Sequence, residues 1–314
     1  MKRLCLAFVL ACAPLAAAAQ ANIVRIVVPF APGGVQDILA RVVAPDLGAL
    51  LGRNVIVENR AGAGGTIGTG SVAKAAPDSQ TLVFAAASHT IAGSLYAKLP
   101  YHPLNDFTPV AHIGTVDYVL MTGGAVPARN VAEFIAYAKA NPGKLNYASA
   151  GNGSATHLAA AYFASLAGLD MVHIPLKATG EAINEVIAGR AHLVVGATIG
   201  AIPFAKDARV RLLGVTGARR SKFLPELPAV GEQLPGYVFD SWLGMLGPAG
   251  MPKATVAEIN GAVNKLLQDP GMLDKLAKQG VEPRAMSPEA FAALLREDYV
   301  KMARVVKASG ARID

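Results

Sequence analysis

The sequence predicts an α/β protein built as two similar lobes, and three observations carry that expectation. Strand-like apolar runs alternate with segments of helical apolar spacing, the pattern of a largely parallel sheet covered by helices. The alternating series occurs twice, over Ile23–Thr115 and Leu145–Val215. Each series contains a glycine turn that leads from a strand straight into a helix, at Gly33-Gly34 and at Gly151-Asn152-Gly153-Ser154.

In the first series the β-branched run Ile23–Phe30 precedes helical spacing over Asp37–Leu51, Val55–Glu58 precedes Gly68–Ala75, and Thr81–Ala85 ends in a turn. Phe107–Val119 reads as a further extended segment. A helix over Asn130–Ala140 stops at Asn141-Pro142-Gly143, a strong terminator. The second series sets the strand Leu145–Ser149 before the helix Thr156–Leu166, Val172–Pro175 before Gly180–Ala188, and then the strands His192–Val195 and Arg211–Val215. After Pro235-Gly236 the chain changes character, and prolines punctuate at least three helices, Lys253–Leu267 and Pro288–Lys307 among them. The economical arrangement has two chain crossovers, near 115–123 and 237–247. Lobe 1 then comprises residues 22–118 and 241–314, and lobe 2 residues 119–240.

Residues 1–21 read as a cleaved secretory signal peptide. Lys2 and Arg3 form a basic start, Leu4–Ala19 is apolar, and Ala19-Gln20-Ala21 has the small-x-small pattern of a cleavage site. A lipoprotein signal through Val9-Leu10-Ala11-Cys12 fits less well, because Leu10 suits it poorly. Both cysteines, Cys5 and Cys12, lie in this segment, so the exported chain has to be held by its core and not by disulfides. Its length of about 290 residues is comfortable for two lobes. Hydrophobic residues make up 53% of the chain, yet the most apolar later stretches, Leu193–Ala205 and Thr81–Leu95, are interrupted by Pro203 and by Ser88-His89-Thr90. Neither is an unbroken span of about 20 apolar residues, so a soluble periplasmic protein is expected. Without Lys2 and Arg3, 27 basic residues face 22 acidic ones, a net charge of +5. The basic residues are dispersed and aromatics are only 6%, which argues against a nucleic-acid surface and suits a small anionic solute.

A glycine turn at the head of a helix leaves backbone N–H groups free for an anion. One such turn is ordinary; two, one per lobe, point to a shared anion site between the lobes. Asp37 falls in the first turn of its helix, where complementing the helix dipole and touching a ligand are equally good readings. Ser154 with His157 resembles a nucleophile and base, but a serine at a helix N-cap explains the pair more simply. Gly68-Thr69-Gly70-Ser71-Val72-Ala73 fits G-x-G-x-x-A. It follows the second strand and lacks the downstream acid of a dinucleotide site, so it reads as a tight loop allowing close backbone approach. No serine has the G-x-S-x-G elbow. The six histidines (89, 102, 112, 157, 173, 192) are scattered with no metal-site spacing. The acids Asp37, Asp106, Asp117 and Asp240 form no recognisable catalytic pair. The sequence calls for no catalytic residue, metal or cofactor.

The blocks "VPFAPGGVQDILARVVAPDL", "VIVENRAGAGGTIGTGSVAKAAPDSQTLVF", "NDFTPVAHIG", "AKANPGKLNYASAGNGSATHLAAAYF" and "LLGVTGARRSKFLPELPAVGEQLPGYVFDSWLGMLGPAGMP" together resemble the Bug (TctC-like) family, the periplasmic substrate-binding proteins of tripartite tricarboxylate transporters. The resemblance runs from Val24 to Lys307 and implies a type II periplasmic-binding-protein fold with a cleft between the lobes. It also implies a carboxylate held chiefly by backbone N–H groups of the two glycine turns. Residue by residue, it assigns Phe30, Gly33, Gly34 and Asp37 to the first-lobe binding loop, and Ser149, Gly151, Gly153, Thr156 and His157 to the second. Ser88 and His89 fall on a loop at the cleft, and Asp240 and Trp242 where the chain returns to lobe 1. Three departures stand out. Gln36 replaces a small hydroxyl residue, Asn152 stands in the second turn, and the family's H-V-P-Y-K-G reads His173-Ile174-Pro175-Leu176-Lys177-Ala178. Gln36 and Asn152 are therefore counted as ligand-binding candidates.

The expected function is capture of a small carboxylate by lobe closure and its delivery, by a monomeric protein, to integral membrane transporter subunits. A ligand-presenting accessory of a receptor kinase and an extracytoplasmic enzyme on the same scaffold are the alternatives.

Overall fold

The computed structural model describes residues 23–311 apart from Ser79; residues 1–21, read above as a signal peptide and holding both cysteines, lie outside the described residues. Strand β1 (Ile23–Val28) pairs in parallel with β2 (Asn54–Asn59) and β3 (Thr81–Ala86), and helix α1 (Val35–Leu51) links β1 to β2. A short loop and α2 (Thr66–Ala73) lead to β3, which runs directly into α3 (Ala87–Leu95). Strand β4 (Phe107–Gly123) then crosses the molecule, followed by α4 (Val131–Lys139), β5 (Leu145–Ser149), α5 (Ala155–Ala167), β6 (Met171–Pro175), α6 (Thr179–Ile187), β7 (Leu193–Ala197), the single turn α7 (Thr198–Ala201) and β8 (Val210–Val215). The chain returns through β9 (Asp240–Pro248) to α8 (Lys253–Leu266), α9 (Pro270–Lys278), β10 (Val281–Pro283) and α10 (Pro288–Ser309).

The strand order is β2-β1-β3-β9-β4-β7-β5-β6, with β8 and β10 also on β4. Both flanks are parallel, but the centre is antiparallel, because β9 runs against β3 and β4, and β4 against β7. The largely parallel sheet expected from the alternation is thus a mixed one. Parallel flanks fit their β-α-β connections, which are buried by helices on both faces. The 17-residue β4 serves both lobes: residues up to Asp117 pair with β9, and those from Tyr118 onward pair with β7 and β8. The partner change falls between Asp117 and Tyr118, and Asp117 is directly opposite Asp240, the first residue of β9. The two crossovers therefore lie side by side.

Lobe 1 packs Ile26, Leu39, Leu47, Phe84 and Ile91 into its core, and lobe 2 buries Phe134, Phe163, Tyr237 and Phe239. The segment after β3 forms a nine-residue helix where the sequence suggested a turn. Its Ser, Thr and Gly content argues weakly for helix, but burial of Ile91 and Leu95 and the bond from Ala87 N–H to Ser241 Oγ (3.0 Å) hold it. Gly68 meets Arg60 across a close backbone contact: a Cβ there would lie 2.5 Å from Arg60 O. None of the described helices is long and apolar enough to cross a membrane.

One buried carboxylate ties α10 to the sheet. Asp298 Oδ2 accepts hydrogen bonds from Thr90 Oγ1 (2.6 Å) and Trp242 Nε1 (2.8 Å), and burial pushes its carboxyl above the usual range. Asp298→Ala leaves the Trp242 indole N–H buried without an acceptor, while Thr90 keeps Ala87 O, and it is expected to cost about 2 kcal/mol in urea unfolding. Asp298→Asn, which keeps an acceptor, is expected to cost less than half of that in the same measurement.

Candidate binding cleft

Between the lobes lies a cavity of about 270 Å³. The loop from Phe30 to Gln36, with Ala86 and Ser88, forms its lobe 1 wall. Ala150, Ser154–Thr156, Lys177–Gly180 and Ala197 form the opposite wall, and Tyr118 lies at the crossover. In structural terms the walls are the heads of α1, α3, α5 and α6. Parallel β-α units put the start of each helix at the carboxyl end of a strand, and here two sets of such ends face one another.

Three of these heads lack a capping side chain, as do α2 and α8 elsewhere, which open on Gly65 and Pro252. Away from the cleft, α4, α9 and α10 open on Asn130, Asp269 and Ser287, whose side chains accept first-turn N–H groups. At the cleft, α1, α3 and α6 open on Gly34, Ala86 and Ala178, which have no side-chain acceptor to offer. Only α5 is capped, by Ser154, which accepts from His157 N–H (3.2 Å) as the N-cap reading expected. Apart from Ala87 N–H, which Ser241 Oγ accepts, and His157 N–H, the first-turn N–H groups and the positive ends of the helix dipoles are thereby left for whatever occupies the cavity.

Several N–H groups of the glycine turns are engaged within the protein. Gly33, at φ +83°, donates its N–H to Asp37 Oδ2 (2.9 Å). Gly151 N–H bonds Ser149 Oγ (3.1 Å), Gly153 N–H bonds His157 Nδ1 (3.2 Å), and Ala150 N–H bonds Thr156 Oγ1 (2.9 Å). These four N–H groups have partners inside the protein and shape the turns, while Gly34 N–H is given none. The remaining free donors sit one or two residues further on, in the helices.

Of the candidate residues, Phe30, Gly33, Gly34, Gln36, Ser88 and Thr156 line the cavity. Asp37 lies behind the first loop, where Oδ1 accepts from Arg41 Nε and Asn59 Nδ2, both at 2.9 Å. Burial works to raise its carboxyl, but the Gly33 N–H, the Asn59 amide and Arg41 outweigh it and hold it below the ordinary range. Ser149, Gly151, Gly153 and His157 likewise lie outside the wall and support the second loop. His157 stacks on His173 at 4.0 Å, and His173 stacks on Tyr147 at 5.0 Å and shares a 2.7 Å hydrogen bond with Ser149 Oγ. His89 faces away, ringed by Phe107, Tyr101 and Trp242 with Nε2 2.7 Å from Pro103 O. Asp240 is ion-paired with Lys301 at the crossover. Asn152 stands at the rim: a Cβ on Gly64 would lie 2.8 Å from Asn152 O and 2.6 Å from the Tyr96 hydroxyl, so the lobes touch there through backbone.

The reading of the sequence did not single out Tyr118 or the head of α6, Lys177–Gly180. Helical spacing from Gly180 marks the element, but only the fold brings its head opposite Gly33. Lys177 has no ion pair among the described residues, and Glu181 accepts its backbone N–H at 3.2 Å. Among the described residues no three His, Cys, Asp or Glu side chains gather as a metal ion would need.

Burial holds His157 down at about 4, and burial together with His157 holds His173 at about 3, against the ordinary 6.5. Both are neutral in the fold, so their contribution is intact above about pH 6.5. It is lost as the pH falls towards 4, where the unfolded chain takes up protons that the native chain does not. Urea unfolding at pH 4.5 is expected to show a loss of about 2 kcal/mol per histidine relative to pH 7. His157→Gln should flatten that slope.

Comparison with known proteins places this geometry. The periplasmic binding protein BugD is 32% identical in its solved structure, with TM-score 0.86 over 92% of this chain and 98% of its own. The R. palustris Rpa4515 structure with adipate is 31% identical, with TM-score 0.88 over 93% and 98% of the two chains. MatC from Rhodopseudomonas palustris, with bound malate, is 31% identical with TM-score 0.85 over 90% and 98%. The fold is accordingly the two-lobed α/β type of these periplasmic binding proteins. Residues 39–311 match the family model described as "Tripartite tricarboxylate transporter family receptor", TctC, and the chain belongs to that family.

Proposed function

We propose that this chain is an extracytoplasmic solute-binding protein that captures a small carboxylate between its lobes and passes it to integral membrane transporter subunits, without chemical change to the ligand. One observation carries the reading: four helix heads converge on one cavity, and three of them lack a capping side chain. A carboxylate supplies the acceptor that each head lacks, through charge-assisted hydrogen bonds. The adipate and malate in the two relatives support the same ligand class. Residues 22–118 with 241–314 act as one moving body and 119–240 as the other, turning about the paired crossovers at Asp117 and Asp240. Ligand contacts made from both walls at once supply the free energy that favours closure. Export through residues 1–21 and residence in the periplasm complete the proposal, in line with the family.

Thermal unfolding against a panel of di- and tricarboxylates, aromatic acids and their amides tests it. A carboxylate at a hundred times its Kd is expected to stabilise the protein by about 2.7 kcal/mol, with its amide silent. A flat response to every acid would reject the reading. Closure has its own test. Gly64→Leu puts a side chain against Asn152 O and Tyr96 at φ +63°, and it is expected to weaken carboxylate binding at least about tenfold by calorimetry. An affinity equal to the parent's would show that the rim contact is not part of the bound state.

A further inference from the structure

The polar groups around the cleft are unequal in kind. Several of its donors are free. The first-turn N–H groups of α1, α5 and α6 face it, apart from His157 N–H, which goes to Ser154. The Gln36 carboxamide nitrogen is buried with no hydrogen-bond partner. Lys177 lines the opposite wall with no ion pair among the described residues. Four of its main-chain acceptors, in contrast, are taken. Phe30 O accepts from Asn59 Nδ2 (3.1 Å), Gly34 O from Ile38 N (3.0 Å), Ser154 O from Leu158 N (3.1 Å) and Ala178 O from Ala182 N (3.2 Å). The acids nearest the walls are committed too: Asp37 accepts from Gly33, Arg41 and Asn59, and Glu181 accepts from Lys177 N–H. No Asp or Glu lines the cavity among the described residues.

We infer that the cleft selects acids whose remaining polar groups are all acceptors (further carboxylate, hydroxyl or keto oxygens) and rejects the α-amino acids of the same skeleton. The inference rests on the carboxylate reading of the cleft and names the ligand class within it. A ligand ammonium in this cavity loses its water, meets the positive ends of three helices and Lys177, and finds no uncommitted carboxylate. A hydroxyl or second carboxylate at the same carbon meets Gln36, Lys177 or a free N–H instead. The discrimination comes from unpaired charge and not from size, which is the stronger kind of rejection.

Calorimetric titration of the purified protein with matched pairs decides it: malate against aspartate, 2-hydroxyglutarate against glutamate, adipate against 2-aminoadipate, and mandelate against phenylglycine. On whichever skeleton binds, the amino-free acid is expected to bind at least about a hundredfold more tightly than its partner. An amino acid that binds within tenfold of its partner, or more tightly, overturns the inference and leaves the carboxylate reading standing. Binding by neither member of any pair overturns both. Lys177→Glu, at an exposed position, places an acceptor in the wall and is expected to narrow the ratio at least about tenfold. An unchanged ratio in that variant removes Lys177 from the selection and overturns the assignment.

Discussion

A helix leaves its first N–H groups without an intrahelical acceptor, and a buried N–H without a partner is costly. This constraint organises the molecule around its cleft. At three helix starts away from the cleft the chain answers with Asn130, Asp269 and Ser287. Where helices start at the cleft, it supplies Gly34, Ala86 and Ala178, and the demand is passed on to the occupant. The glycine turns that deliver the chain to α1 and α5 are shaped so that their own N–H groups are satisfied by Asp37, Ser149 and His157. The division is consistent: groups that set the loop shape are paired within the protein, and groups that meet the ligand are left open. Preorganised donors of this kind need little rearrangement on binding, which favours affinity.

The same logic explains why neutral histidines support the second loop. His157 Nδ1 has to accept from Gly153, which an imidazolium does not do. Stacking against His173 and Tyr147 in a buried layer keeps both rings uncharged, and the loop inherits its shape from that layer. At the crossover the electrostatics run the other way. Burial raises Asp117 to about 6, with Asp240 and Glu282 adding to the effect and Arg219 opposing it. Lys301 from α10 partners Asp240, and α10 also touches lobe 2, where Ser165 Oγ donates to Ala308 O. The crossover therefore has charge, a strand pair and one long helix all close together.

Much of this was legible in the chain. Alternating apolar periods mark the β-α units, because a strand buried on both faces and a helix buried on one leave distinct patterns. Glycines before Val35 and Ala155 mark two of the four helix heads, and Ser154 announces its own cap. The remaining heads were not legible, since Ala86 and Ala178 are unremarkable in sequence and gain meaning only from what is missing beside them. His89 and Asp240 look like site residues when adjacency in sequence is the guide. In space, one residue separates Ser88 on the wall from His89 in an aromatic cage, because successive residues at a helix head point in different directions. Asp37 carried two readings, and the geometry gives it the role of shaping its loop.

The rim where Gly64 meets Asn152 O has a consequence for how such a protein diversifies. The contact is made by main chain, and main chain is indifferent to most substitutions elsewhere. Residues lining the cavity, such as Gln36 and Lys177, are free to drift towards new ligands while the two halves still meet along an unchanged seam. The seam and the interior are then separately heritable: one fixes how the molecule shuts, and the other decides on what.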